Sequence, residues 1–271
     1  MYKMKTNPIF IIRRYIYKTL NLVDRLFDNN TKAFVLCYHG IDSSDWRFSI
    51  SLIMFKKQIK HLKNEGYSFI TTKDILEYCQ GKKILPKPSV AITFDDGYKS
   101  MKIVAKFLKE EKIEPTLFLL SQTVKPNWKE IGKKDSFLNF SEIKSLERNG
   151  WLMGSHSSTH ANLSELSKEE LVNEISNSKK VLEQKLKKSI SDFAYPRGKY
   201  NDSVLKQVKK AGFKAGWTMD DGFLGPQTNL LQIPRIGVDR THSLEEFKTL
   251  FSPSAILMRK LIKQSPIGGL L

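Results

Sequence analysis

Three clusters in this chain combine residue types and spacing suited to metal-assisted acid–base chemistry: Asp95-Asp96-Gly97, His156 with His160, and Tyr38-His39-Gly40. Adjacent carboxylates repel, so keeping both ionised calls for a metal or a nearby cation. Two histidines four residues apart stack on one face of a helical turn, which is a chelating arrangement. Facing Asp96, they make a set of two imidazoles and one carboxylate, with positions left for water and substrate. A divalent ion held there acidifies water near neutral pH and polarises a carbonyl. Only one of the two aspartates need bind the ion, and the other can take the proton of the attacking water. His39 is the candidate donor to a leaving amine. Backbone N–H groups around Pro196-Arg197-Gly198 can stabilise a tetrahedral oxyanion. Plainer readings stand beside these: a surface Asp-Asp-Gly turn, a core histidine at 39, and Arg197 as either an ion-pair partner of Asp95 or a substrate contact.

The elements that must position these groups alternate regularly. Apolar, β-branched runs predict strands over Ala33–Tyr38, Tyr67–Ile70, Val90–Phe94, Thr116–Leu120, Trp151–Ser155, Ser191–Tyr195, Ala215–Met219 and Ile233–Val238. Helical patterns fill the gaps: Ser51–Asn64, Thr72–Cys79, Ser100–Glu111, Ser141–Asn149, Lys168–Lys187, Asp202–Ala211 and Ser243–Leu250. Ser141, Thr72 and Asn201 read as N-caps; Gly66, Gly150 and Gly212 read as helix ends. Strand–helix alternation implies right-handed βαβ units and a parallel sheet. That fits a single closed or nearly closed β/α barrel, with a doubly wound open sheet as the alternative. In a barrel every strand end opens onto one face, so His39, Asp95, His156 and Arg197 converge.

Composition narrows the function classes. The chain has 271 residues, 40% of them hydrophobic, enough for a sizeable core. Its net charge of +17 invites an anionic partner. The lysines are spread at helical spacing beside glutamates, however, without the basic patch and interleaved aromatics of a nucleic-acid site, so no nucleic acid is expected. Cys37 and Cys79 lack disulfide, metal or redox spacing. Residues 1–32 differ in character. Ile9 to Ile12 are cut short by Arg13 and Arg14, leaving too brief a run for a secretory leader. An amphipathic helix follows, with Ile16, Leu20, Val23 and Phe27 on one side and Arg14, Lys18 and Arg25 elsewhere. Such a helix either packs on the core or lies on an anionic membrane surface. The expected division is a basic extension over 1–32 and one domain over 33–271, cytoplasmic or peripheral at the cytoplasmic membrane.

TFDDGY at 93–98, HSSTH at 156–160 and YPRG at 195–198 together resemble the polysaccharide deacetylases of the NodB-homology type, the fourth family of carbohydrate esterases. The likeness spans most of residues 33–250. It implies a distorted (β/α)7-type barrel and hydrolysis of the N-acetyl group of N-acetylhexosamine units in a polysaccharide or a lipid-linked glycan. It also implies Asp95 as base and Asp96, His156 and His160 as ligands of one divalent ion, Zn2+ or else Co2+, Ni2+, Mn2+ or Fe2+. Tyr195, Pro196 and Gly198 are then substrate-binding, and Arg197 joins the catalytic set with Asp95 and His39. The early Tyr38-His39 is similar to the branch that deacetylates poly-N-acetylglucosamine, where the acid histidine comes from the N-terminal strand; His242 is the competing acid. The chain departs from the pattern at Ala194, where an arginine commonly tunes the base, so the cation that orients Asp95 is unassigned. Asp220-Asp221-Gly222 reads as a loop turn or a rim contact for sugar hydroxyls. Trp46 and Trp128 can stack on sugar faces, as can Trp217 unless it packs in the core. A catalytically inactive carbohydrate-binding member of the same fold is the alternative function.

Overall fold

Strands whose residues are buried on both faces must be covered on both sides, and the apolar runs of this chain meet that condition by forming a curled parallel sheet. The computed structural model describes residues 8–27, 32–122 and 137–264. Helix α1 (Pro8–Phe27) precedes β1 (Ala33–Tyr38), all six of whose residues are buried. Short β2 (Gly40–Ile41) and β3 (Ser49–Ile50) pair with each other beyond its end. The chain then alternates through α2 (Leu52–Asn64), β4 (Ser68–Phe69), α3 (Thr72–Cys79), β5 (Ser89–Phe94), α4 (Met101–Glu110) and β6 (Thr116–Leu119). After α5 (Phe140–Arg148) and β7 (Leu152–Ser155) come α6 (Lys168–Leu171), a π-helical turn (Val172–Ser176) and α7 (Asn177–Leu186). The last elements are β8 (Asp192–Ala194), α8 (Asp202–Lys210), β9 (Ala215–Trp217), β10 (Ile236–Gly237), α9 (Leu244–Phe247) and α10 (Pro253–Gln264).

The sheet order is β10-β1-β5-β6-β7-β8-β9, with β4 also on β5, and every pairing is parallel. The two ends of this order approach each other just before β10. Trp217 bridges Ile233, Ile233 N–H donates to Gly216 O at 2.8 Å, and Thr218 N–H donates to Ile233 O at 2.9 Å. The result is the distorted barrel the alternation predicts, nearly closed rather than open.

Local chemistry shifts several boundaries. Asn139, not Ser141, caps α5: its side chain accepts from Glu142 N–H while the Glu142 carboxylate accepts from Asn139 N–H. Thr71, not Thr72, caps α3 in the same reciprocal way with Asp74. The run 168–187 is one continuous helical pattern in sequence but is interrupted by the π-helical turn at 172–176. Helix α10 has no counterpart among the expected elements.

Trp217 is fully buried, its indole N–H donating to Asp192 at 2.9 Å, so its ring belongs to the core and cannot stack on a sugar. Trp128 lies outside the described residues. Helix α1 packs on α9 and α10, fastened by Arg13 to Glu246 at 3.0 Å and to Thr241 O at 3.2 Å, and by Asp24 to Ser254 at 2.6 Å. No described helix is long and apolar enough to cross a membrane.

Candidate active site

The end of β5 turns sharply to keep two carboxylates at the mouth of the barrel. Asp96 and Gly97 have φ of 73° and 82°. A side chain on Gly97 would bring its Cβ to 2.9 Å from Leu119, so the residue after the carboxylates must be small and left-handed. Asp96 accepts the same unusual backbone at a cost of order 1–3 kcal/mol, a strain that clusters at functional sites.

Asp95 points inward and is clamped. Arg235 Nη1 lies 2.7 Å from its Oδ1 and Nη2 2.8 Å from its Oδ2, a two-pronged match of guanidinium to carboxylate. The Cys37 thiol donates to Oδ2 at 3.4 Å, and burial pushes that thiol up so that it stays protonated. Arg235 is itself wholly buried. Its Nε donates to Thr218 O at 3.1 Å, and its guanidinium lies 5.1 Å from the centre of the Phe118 ring. Burial raises the Asp95 carboxyl, but Arg235 first and His156 next overcome it and hold the group well below the usual carboxylate range. Arg235 is therefore the cation the sequence left unassigned. It is delivered by the segment leading into β10, not by the Pro196-Arg197-Gly198 turn.

The end of β7 carries the histidine pair. The residues from 156 to 160 form a loop and not the helical turn their spacing suggested: Ser157 and His160 each have φ of 68°. One carboxylate gathers this loop. Glu174 accepts from Ser158 N–H at 3.1 Å, Thr159 N–H at 3.0 Å and the Thr159 hydroxyl at 2.7 Å. Glu174 sits in the π-helical turn, whose wider winding re-aims side chains at functional places. Gly154 lets β7 pass Phe118, since a Cβ there would lie 2.4 Å from the ring. The two imidazole rings end 5.1 Å apart.

The donor atoms of Asp96, His156 and His160 lie within 4.8 Å of one another, all three residues being buried. Asp96 Oδ1 is 3.6 Å from Nε2 of each histidine and has no hydrogen-bond partner among the described residues. His156 Nδ1 lies 2.9 Å from Ala194 O, so the proton belongs on Nδ1 and the Nε2 lone pair faces Asp96. Burial pushes this imidazole down to about 3, which keeps it neutral, and pushes Asp96 up to about 6 with the charge of Asp95 adding to it. A buried carboxylate oxygen with no hydrogen-bond partner among the described residues, met by a neutral imidazole lone pair, fits a divalent cation. Cys37, His39 and Asp95 also bring three donors together. There the thiol is protonated and Asp95 is already neutralised by Arg235, so that group does not fit an ion.

His39 follows β1 and is half-buried, its ring 5.1 Å from Phe48 and 6.1 Å from Trp46. Its Nδ1 has no hydrogen-bond partner among the described residues. His242 is elsewhere: buried, pushed down to about 4 chiefly by burial, and surrounded by Asp239, Arg13, Arg259 and Glu246. Three expectations need correction. Arg197 is exposed, and Asp95 pairs with Arg235 instead, which removes the ion-pair reading of Arg197 and leaves the substrate contact. Tyr195 is a core side chain whose hydroxyl donates to Leu231 O at 2.8 Å, so its phenol cannot bind substrate. Asp221 is neither a solvated turn nor a rim contact; it is fully buried and pairs with Arg259 at 2.8 Å and Lys263 at 2.6 Å. Pro196 is buried and has no N–H, and the Gly198 N–H is engaged by Tyr195 O at 2.9 Å. Trp46 is half-buried, with its ring 5.2 Å from Tyr98 at the rim.

Residues 82–216 match the polysaccharide deacetylase family model. Over 200 residues the chain is 33% identical to the poly-beta-1,6-N-acetyl-D-glucosamine N-deacetylase of Staphylococcus aureus (strain MRSA252), covering 70% of this chain and 67% of that protein. Its fold is similar to that of the Streptococcus pyogenes deacetylase PplD, solved with acetate (TM-score 0.71, 23% identity, 83% of this chain and 100% of that one). It is also similar to IcaB from Ammonifex degensii (TM-score 0.69, 22% identity, 87% of this chain and 98% of that one). The clamped carboxylate beside a buried Asp-His-His set is thus found in a chain that belongs to the polysaccharide deacetylase family of metal-dependent hydrolases.

Proposed function

We propose that this enzyme removes acetyl groups from N-acetylglucosamine units of a poly-N-acetylglucosamine-type polysaccharide or its lipid-linked precursor, at a membrane surface, with one Zn2+ held by Asp96, His156 and His160. The observation that carries the reading is the separation of two adjacent carboxylates into different tasks. Asp95 is fixed by Arg235, whereas Asp96 Oδ1 is left facing two imidazole nitrogens. Two nitrogens and one oxygen suit zinc, and the same set admits cobalt, nickel, manganese and iron. When bound, the ion supplies Lewis acidity, polarising the acetamide carbonyl and lowering the pKa of water.

The protein's own groups supply the proton traffic. Asp95 is ionised at any working pH and accepts a proton from the attacking water. Arg235 fixes both of its oxygens, so the carboxylate keeps its orientation as the proton arrives. His39, half-buried against Phe48 and Trp46, gives a proton to the departing nitrogen. A C–O bond forms, the C–N bond breaks, and acetate and a free amine leave. Trp46 and the exposed edge of Phe48 offer flat apolar surface to a sugar ring beside this centre.

Acetate release is the test. The purified protein, loaded with Zn2+, is incubated with oligomers of N-acetylglucosamine in β-1,6 and in β-1,4 linkage. Release from the β-1,6 oligomer that disappears in His156→Ala supports the reading. Equal release by wild type and His156→Ala, or none by wild type from any N-acetylated sugar, contradicts it.

A further inference from the structure

Helix α1 is built the wrong way round for a helix that packs on a core. A surface helix ordinarily turns its apolar stripe inward and its charges outward. Here the buried positions are Arg13 and Tyr17, with Leu20 and Asp24 partly buried after them. Polar anchors fasten that face: Arg13 to Glu246 and Thr241, and Asp24 to Ser254 N–H at 3.0 Å and its hydroxyl at 2.6 Å. The apolar stripe points outward. Tyr15 is 69% exposed, Leu22 63% and Leu26 78%, and their spacings of seven and four place them on one face with Ile12.

Helix α10 adds to it. Asp24 meets Ser254 and Tyr17 senses the charge of Arg259, so the two helices run antiparallel. Leu257 and Leu261 of α10 are each 59% exposed. Charge on the pair is one-sided. Helix α1 carries four basic residues and one acid, and α10 three basic residues and no acid; Arg13 and Arg14 face Glu246, and Arg259 and Lys263 pair with Asp221, so the outward charge comes from the remaining lysines and from the exposed Arg14. Arg14, Lys18 and Lys260 are exposed. An exposed apolar stripe rimmed by cations complements an anionic bilayer, with leucines entering the acyl boundary and cations meeting phosphates. A second copy of this face would instead confront like charge with like.

We propose that the outward faces of α1 and α10 seat the protein on an anionic lipid surface. The docked helix is also tied to the catalytic mouth. Arg13 bonds Thr241, which bonds Asp239 at 2.6 Å; Asp239 holds Arg47 at 3.0 Å; and Arg47 lies between Trp46 and Phe48, the two rings on His39. Seating deepens the membrane-side setting of the proposed function, yet it rests on this face and not on the chemistry.

The test is sedimentation of the full chain with vesicles of phosphatidylcholine alone or with phosphatidylglycerol added. Wild type should bind the anionic vesicles, more weakly at high salt. Leu22→Glu with Leu26→Glu should lower that binding about tenfold or more. Lys18→Glu should lower it about fivefold. All are exposed positions, so an unchanged Tm and unchanged acetate release from a soluble oligomer show that the fold and site are intact. No binding by wild type to anionic vesicles overturns the proposal. So does equal binding by the variants, or a wild-type dimer in solution that the leucine substitutions dissolve. Loss of acetate release in wild type, by contrast, would count against the catalytic reading alone.

Discussion

Replacing Arg235 with Gln removes the charge that faces both oxygens of Asp95 and leaves a shorter, neutral polar side chain. Asp95 is then a buried carboxylate without its cation, and breaking a buried pair from one side costs about 3–5 kcal/mol. In a domain of this size that is a fall in Tm on the order of 10 °C. The pH dependence has a definite sign. In the wild type the Asp95 carboxyl lies below its unfolded value, so its contribution to stability is complete above the ordinary carboxylate range and is lost only as pH falls through the folded value. In Arg235→Gln, burial acts without its main opponent and lifts the folded value above the unfolded one. The penalty is then small in acid and grows as pH rises through that lifted value. Calorimetry in the presence of a chelator should show a wider Tm gap between wild type and variant at about pH 8 than at about pH 4. Adding Asp95→Asn to Arg235→Gln removes the unpaired charge, so the double variant should recover roughly 2–3 kcal/mol relative to additive losses. Strict additivity, or a gap that does not change with pH, would refute the clamp.

Other substitutions separate placement from chemistry. Glu174→Gln removes the charge that gathers the 156–160 loop; it should weaken divalent-ion binding by roughly 10–100-fold, read by titration calorimetry, with little change in the Tm of ion-free protein. His39→Ala should lower kcat by about 10²–10⁴ while leaving ion content intact, as expected for loss of a proton donor. His242→Ala should change Tm more than kcat, because its neighbours are Asp239, Arg13, Arg259 and Glu246. Asp221→Asn leaves Arg259 and Lys263 without their buried partner and should lower Tm by several degrees without changing ion affinity, since it loosens α10 and not the site.

The sequence made the two histidines and two aspartates legible because they stand where apolar strands end, and a parallel barrel brings all such ends to one face. It was less informative about what supports them. Arg235 carries a signal of its own: a charge in the middle of the apolar run Ile233–Val238 has to find a buried partner, and Asp95 is that partner. Glu174 carried none, because an acid within a charged helical run looks like any solvated position until the π-helical turn aims it at the loop. The i, i+4 spacing of His156 and His160 pointed to the right pair through the wrong geometry, since a loop with two left-handed residues also brings the rings together. Tyr195 shows the converse error of reading a large aromatic near a motif as a contact, when closing the barrel required it inside, whereas Trp217 packs in the core, as the favoured reading of it has it. The outward stripe of α1 was visible as amphipathicity, but only the Arg13 and Asp24 anchors show which face the protein keeps.

The division of labour between neighbouring carboxylates is best tested by measuring ion content and acetate release together in Asp95→Asn and Asp96→Asn. Asp95→Asn should retain one equivalent of divalent ion and lose acetate release, whereas Asp96→Asn should lose both. An Asp95→Asn protein that cannot hold the ion, or one that still releases acetate at the wild-type rate, would contradict the assignment of Asp95 to the proton and Asp96 to the metal.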